Sequence, residues 1–114
     1  MLLQGTCREV GEVAVVDFSG KITLGEGSAT LRHTIRELIQ AGRRKILLNL
    51  EDVDYIDSAG LGELAGGCMA ARKAGGELKL VNLTRRVSDL LQIARLFSVF
   101  DVQADEAAAL RSFR

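Results

Sequence analysis

The sequence of 114 residues contains no proline, no tryptophan, one histidine and two cysteines. Because it also has no Ser- or Gly-rich tract, nothing in it predicts a linker, and we expect a single domain spanning residues 1–114. One histidine and two widely separated cysteines do not provide the spacing of a zinc site. The sequence therefore predicts neither a metal site nor a bound cofactor.

The sequence also has no excess of positive or negative charge. Lys and Arg total 15, Asp and Glu total 15, and the formal net charge is +0. This balance gives no electrostatic argument for binding nucleic acid or an anionic membrane. No apolar run approaches the roughly 20 residues of a membrane span, and the start "MLLQGTCREVG" does not resemble a signal peptide. We therefore expect a cytoplasmic protein in which Cys7 and Cys68 are reduced and buried.

The spacing of apolar residues changes along the chain and predicts a small α/β domain. Two strand-like segments at residues 3–18, separated by Gly11, predict an N-terminal hairpin. Helical patterns then alternate with short apolar runs typical of buried strands. The predicted strands are "KILLNL", "ELKLVNL" and "SVFDV", and the predicted helices begin near Ser28, before Leu61, at Thr84 and near Asp105. This order predicts a mostly parallel sheet with helices packed on it.

Ser58 lies in "YIDSAGLGEL", between an acidic stretch and two glycines, where a predicted strand is followed by a helix. Functional groups gather at such junctions in α/β sheets. A serine hydrolase is not supported, because position 56 is Ile instead of the first glycine of G-x-S-x-G. The only candidate base, His33, lies far away in the sequence, on a predicted solvated helix face. We therefore predict no catalytic residue.

A nucleotide site is the second interpretation of the same segment. Gly60, Gly62 and Ala65 satisfy G-x-G-x-x-A at the start of a helix. The acidic residue that a dinucleotide site needs about 20 positions later is absent, since Asn82 and Leu83 occupy that region. The glycines also follow "KILLNL" too late for a tight phosphate-binding turn. Measuring ATP, GTP and NAD binding would test this alternative.

Two interpretations of Ser58 remain. In the first, Ser58 is only the cap of the following helix, and Asp57 adds charge near the positive end of the helix dipole. In the second, Ser58 accepts a phosphoryl group from a partner kinase, which requires no base in this chain. The helix N-terminus favours the added charge and the neighbouring acidic side chains oppose it. Modification would turn a small neutral surface into a bulky anionic one.

The residues "DVDYIDSAGLGEL" resemble the signature of anti-sigma factor antagonists of the STAS-domain family, in which a phosphorylated serine lies in a D-S-x-G-L-G context. The similarity extends to "VVDFSGKITLGEG", "KILLNL" and "GGELKLVNLTRRVSDLLQIARLFSVFDV", and covers residues 5–104. It implies a STAS fold and a regulatory binding protein that is not an enzyme.

The resemblance also implies a cycle of partner exchange. The unphosphorylated antagonist binds an anti-sigma factor serine kinase and frees the sigma factor. The kinase, which carries ATP and magnesium, phosphorylates Ser58, and this dissociates the complex. A serine phosphatase restores the active form. By position in the motif, the resemblance assigns the following partner-binding residues: Thr23, Leu24, Gly25, Glu26, Gly27, Asp57, Ser58, Ala59, Gly60, Leu61 and Gly62.

The sequence leaves two alternatives. Many family members have an acidic residue at the position of Thr23, whereas the nearest one here is Glu26, so the manner of kinase recognition by this loop is open. The alternative function is a scaffolding or regulatory STAS subunit of another signalling or transport complex, with Ser58 as a helix cap. An exposed apolar loop around Leu24 and Leu61 is expected to favour contact with a different protein over self-association.

Overall fold

The structure is a computed structural model that describes residues 2–114. The elements follow one another as β1 (Gln4–Val10), β2 (Val13–Ile22), α1 (Glu26–Gln40), β3 (Lys45–Ile56), α2 (Ser58–Lys73), β4 (Glu77–Val81), α3 (Arg85–Ile93), β5 (Asp101–Gln103) and α4 (Glu106–Ser112). The strands form one sheet in chain order, in which β1 and β2 are antiparallel and every later pair is parallel. The predicted α/β architecture is confirmed.

The two faces of the sheet are covered unequally. Successive side chains of a strand point to opposite faces, so Val15 and Val16 of β2 enter different clusters. The larger cluster lies between the sheet and helices α1, α2 and α3, and the smaller one lies under α4 around Ala109. This packing directs the first turns of α1 and α2 towards the same end of the sheet.

Helix starts agree with the sequence at two positions. The Thr84 hydroxyl accepts a hydrogen bond from the Val87 N–H at 3.3 Å, and the Asp105 carboxylate accepts one from the Ala108 N–H at 2.8 Å. Both residues have extended backbone and therefore act as N-caps. Helix α1 begins two residues earlier than predicted, at Glu26.

Strand β3 is much longer than predicted. It continues from "KILLNL" through residues 51–56 and stays paired with β2 up to Ile22 and Ile56, with two register irregularities between them. The predicted end of this strand at Leu50 is therefore wrong. The physical reason is that this part of β3 is largely exposed and carries charged residues, which are typical of a loop. Its backbone nevertheless stays paired with β2.

Two predictions about burial are wrong. Cys68 is buried in α2, but Cys7 is exposed, because it lies on β1, the outermost strand. Leu24 is 79% exposed whereas Leu61 is only 8% exposed and belongs to the core. The expected apolar loop therefore presents Leu24 alone.

Candidate functional site

Two loops meet at the carboxyl ends of β2 and β3. The strands are parallel neighbours, and their last residues, Ile22 and Ile56, lie opposite each other. The loop Thr23–Gly25 follows β2 and leads into α1, and Asp57 alone separates β3 from α2. The structure thus brings the two predicted contact segments, residues 23–27 and 57–62, to one end of the sheet.

Asp57 makes three hydrogen bonds where these two segments meet. One carboxylate oxygen accepts from the Gly60 N–H at 2.9 Å and the other from the Leu24 N–H at 2.8 Å. Its own N–H donates to the Ile22 carbonyl at 3.1 Å. The N–H groups of Gly60 and Leu24 favour the charged carboxylate and lower the pKa of Asp57 below its usual 3.8. Asp57 therefore fixes the β2–α1 loop against the start of α2.

The helix cap is Asp57 and not Ser58. Asp57 has extended backbone, and its carboxylate binds the N–H three residues later, which defines an N-cap. Ser58 is the first residue of α2, and its side chain is exposed. The interpretation of Ser58 as only a helix cap is therefore wrong, and Ser58 is an exposed residue of the first turn.

Two of the predicted contact residues serve the packing of the chain itself. A Cβ on Gly60 would collide with the carbonyl oxygen of Ile22, and one on Gly27 would lie 2.7 Å from the carbonyl oxygen of Lys21. Glycine at both positions lets α1 and α2 approach the end of β2. Gly62 is different, since nothing in the described structure lies within 4 Å of the place where its Cβ would be.

The predicted contact residues consequently divide into two sets. Gly27, Gly60 and Leu61 are buried. The remaining residues are exposed or half-buried and form one surface, which we call the loop–helix surface: Thr23, Leu24, Gly25, Glu26, Asp57, Ser58, Ala59 and Gly62. Gly25 has a φ of 100°, a conformation that glycine adopts most readily, and it precedes α1.

The same geometry argues against a dinucleotide at this helix start. A pyrophosphate at a helix N-terminus binds free N–H groups of the first turn. Here the Asp57 carboxylate already accepts from Gly60 and would repel the ligand. No cluster of three or more metal-ligating side chains occurs within residues 2–114.

A family comparison identifies the chain. The STAS domain model matches residues 6–109. The chain belongs to the STAS-domain family. A curated relative is the anti-sigma-B factor antagonist of Bacillus subtilis (strain 168), which is 35% identical over 89 residues that make up 78% of this chain and 80% of the relative. The family of this STAS domain is therefore that of the anti-sigma factor antagonists, as its sequence predicts.

Solved structures give the same fold. An anti-sigma factor antagonist from Mycobacterium paratuberculosis superposes with a TM-score of 0.86 at 20% identity, covering 98% of this chain and 94% of that one. The Bacillus cell fate determinant SpoIIAA in its phosphorylated form superposes with a TM-score of 0.71 at 22% identity, covering 95% and 98%. None of the helices in residues 2–114 of this STAS domain combines the length and hydropathy of a membrane span.

Tyr55 is a surface feature of this STAS domain that the sequence did not reveal. Tyr55 is 38% exposed, and two cations lie near its ring, with the Lys21 Nζ 5.7 Å and the Arg86 guanidinium carbon 5.8 Å from the ring centroid. Lys21 also contacts Asp54 at 3.2 Å. The three residues come from β2, β3 and α3, so only the folded sheet brings them together, three positions before Ser58.

A groove of about 390 Å³ runs between α1 and α2 of this STAS domain. Ile35, Ile39 and Gly67 contribute apolar surface, and the ion pair of Arg32 with Glu63 lies at its side. A Cβ on Gly67 would lie 2.5 Å from the end of the Ile35 side chain, so glycine there lets α1 and α2 pack closely. The groove is therefore a consequence of how α1 and α2 pack and contains none of the loop–helix surface residues.

Proposed function

We propose that this STAS domain is a phosphorylation-gated antagonist of an anti-sigma factor that is itself a serine kinase. The unphosphorylated form binds the kinase through the loop–helix surface and frees the sigma factor. Phosphorylation of Ser58 ends that binding, and a serine phosphatase restores it. The observation that carries the proposal is the exposed Ser58 at the first position of α2, next to a cap that Asp57 already supplies.

The position of Ser58 suits a phosphoacceptor. Ser58 is exposed, so a kinase active site can reach it without unfolding the chain. The kinase supplies ATP, magnesium and the base, and the γ-phosphoryl group moves from ATP to the Ser58 Oγ while ADP leaves and the hydroxyl proton passes to the kinase. The STAS domain needs no catalytic group of its own, in accordance with a binding protein rather than an enzyme. Because ATP is cytoplasmic, we place the cycle there.

The electrostatics of the loop–helix surface support a switch. A phosphoserine adds a charge of about −1.5 to −2. The N-terminus of α2 partly stabilises it, but the adjacent Asp57 is ionised and opposes it. A partner whose surface fits a neutral serine beside Asp57 then meets two anionic groups and a larger side chain. Charge and size both weaken the complex.

The names of the relatives give the partner class. One curated relative, of which the match covers 80%, is named an anti-sigma-B factor antagonist. One structural neighbour is a protein in its phosphorylated form. An anti-sigma factor is therefore the proposed partner of this chain. The buried residues Gly27, Gly60 and Leu61 contribute by holding the backbone of the surface, and the exposed residues make the contacts.

Phosphosite mapping of the protein from its native cells tests the proposal first. We expect one phosphate on Ser58 in part of the population. Pull-downs with Ser58→Ala and Ser58→Glu then test the gate, with Ser98→Glu as the control because Ser98 is an exposed serine outside the loop–helix surface. Ser58→Glu is expected to lose the partner, while Ser58→Ala and Ser98→Glu retain it. Equal binding by all three variants, with no phosphate during growth and stress, would favour a scaffolding role.

A further inference from the structure

The groove between α1 and α2 has the size of a small-molecule site. Its volume of about 390 Å³ lies within the roughly 300–1,000 Å³ of ligand pockets. On the α1 side it runs from Arg32 to Gln40, which is about 12 Å at 1.5 Å per residue. Its floor is narrow, because a Cβ on Gly67 would meet the end of the Ile35 side chain. These dimensions suit one aliphatic chain better than a partner helix, which is about 10–12 Å wide.

Gly66 keeps the groove open, although the packing of the chain does not call for glycine at this position. It lies in the interior of α2, where glycine is among the least favourable residues. Within the described residues, nothing outside the local helix backbone lies within 4 Å of the place where its Cβ would be, and its φ is not positive. A side chain at position 66 would therefore fit the fold but would occupy the groove. The glycine preserves space for something outside the chain.

The charged side chains that line the groove leave one cation without a counter-ion. Arg32 of α1 pairs with Glu63 of α2, so these two charges neutralise each other. Arg36 lies one turn further along the same face of α1, and it forms no ion pair and no side-chain hydrogen bond with any residue of 2–114. The lining therefore carries one net positive charge next to the apolar side chains of Ile35 and Ile39.

We propose that this groove binds a small anionic amphiphile, namely a carboxylate that carries a single aliphatic chain. The Arg36 guanidinium binds the carboxylate by a charge-assisted hydrogen bond. The chain lies along Ile39 and Ala70 towards Gln40, where the lining has no charged side chain. The same guanidinium disfavours a cationic amphiphile. The groove shares no residue with the loop–helix surface, so this inference is independent of the proposed phosphorylation switch.

Solution NMR of the isotope-labelled full chain tests the class of ligand. Decanoate, titrated below its micelle concentration, is expected to shift the amide signals of residues 32–40 and 63–70 and to reach saturation. Acetate, which lacks the chain, and decylammonium, which has the opposite charge, are expected to cause no saturable shifts in these segments. If decanoate causes no saturable shifts there, or if decylammonium binds as tightly as decanoate, the proposal is overturned.

Charge reversal at Arg36 tests the role of its guanidinium. Arg36→Glu removes an exposed ion pair with the ligand and adds a repulsion of similar size, so decanoate is expected to bind about fivefold more weakly. The same variant is expected to bind decylammonium more tightly than the wild type does. Arg85→Glu is the matched control, because Arg85 is an exposed arginine of α3 outside the groove, and it is expected to bind decanoate like the wild type. Equal decanoate binding by the two variants contradicts the proposal.

Gly66→Leu tests the groove itself and separates binding from folding. The leucine side chain fills the groove, so the saturable decanoate shifts are expected to disappear. The midpoint of urea unfolding is expected to rise, because leucine favours a helix interior more than glycine does. Gln92→Leu, which adds a leucine at an exposed position of α3, is expected to keep decanoate binding. A Gly66→Leu variant that binds decanoate like the wild type, or that unfolds at a lower urea concentration, refutes the proposal.

Discussion

Gly60 and Gly62 lie two residues apart in α2, and replacement by alanine is expected to change stability in opposite directions. At Gly60 the added Cβ would collide with the Ile22 carbonyl oxygen and would lie 2.8 Å from the side chains of Ile22 and Ile56. At Gly62 the added Cβ meets nothing within 4 Å. The two substitutions have the same chemistry and the same helix, so their difference isolates the packing of Gly60.

The magnitudes follow from two terms. Alanine in place of glycine stabilises a helix interior by about 1 kcal/mol, and this gain applies to both sites. Overpacking costs about 1–3 kcal/mol, and the upper end applies at Gly60 because a backbone carbonyl cannot rotate away. Gly60→Ala is therefore expected to lower the free energy of unfolding by about 2 kcal/mol, and Gly62→Ala to raise it by about 1 kcal/mol.

Urea unfolding followed by circular dichroism measures both values, and the m-value shows whether the transition stays two-state. Thermal unfolding gives a second readout, at about 4 °C of Tm per kcal/mol for a domain of this size. If Gly60→Ala is as stable as Gly62→Ala, then α2 does not pack against the end of β2 as described, and the placement of the loop–helix surface is wrong.

Three further predictions concern single side chains. Asp57→Asn is expected to destabilise the fold at neutral pH. Because folding lowers the pKa of Asp57, its carboxylate stabilises the fold above the unfolded pKa near 3.8, and this stabilisation is lost as pH falls through the folded pKa. The difference in urea unfolding between wild type and variant should therefore shrink at acidic pH. A thiol reagent at about pH 8 is expected to label the exposed Cys7 rapidly and the buried Cys68 only on unfolding. Burial also raises the pKa of Cys68 to about 11, which keeps its thiol protonated. Rapid labelling of two thiols in the folded protein would contradict this. Lys79→Met is expected to lower the free energy of unfolding in urea by about 1–3 kcal/mol. The buried Lys79 ammonium contacts Asp101 at 3.1 Å and donates a hydrogen bond to the Ser112 carbonyl of α4 at 3.0 Å. A variant as stable as the wild type would show that these contacts are dispensable.

The sequence predicts the order of elements well, because the core determines it. "KILLNL" and "ELKLVNL" are buried on both faces and carry an unmistakable apolar pattern. Thr84 and Asp105 cap their helices as expected, since their side chains bind N–H groups only three residues away. Local interactions of this kind are encoded in a short window of residues.

Features that depend on distant residues were not predictable. Asp and Ser are both good N-caps, and only the extended backbone at Asp57 shows which of the two takes that position. The hydrogen bond from Leu24 to Asp57 spans 33 residues. The exposure of Cys7 follows from the strand order of the sheet, which no pattern within β1 reports.

The hydrogen bonds of Asp57 also bear on how a phosphate at Ser58 would act. A change of loop conformation would require breaking the bonds to Leu24 or Gly60, and both carboxylate oxygens of Asp57 are engaged in them. The phosphate would itself be an anion next to Asp57, so it cannot replace that carboxylate without first overcoming its repulsion. For the switch proposed above, these bonds favour a gate in which the backbone of the loop–helix surface stays in place while its charge and size change. The partner, and not the STAS domain, would then respond to the difference.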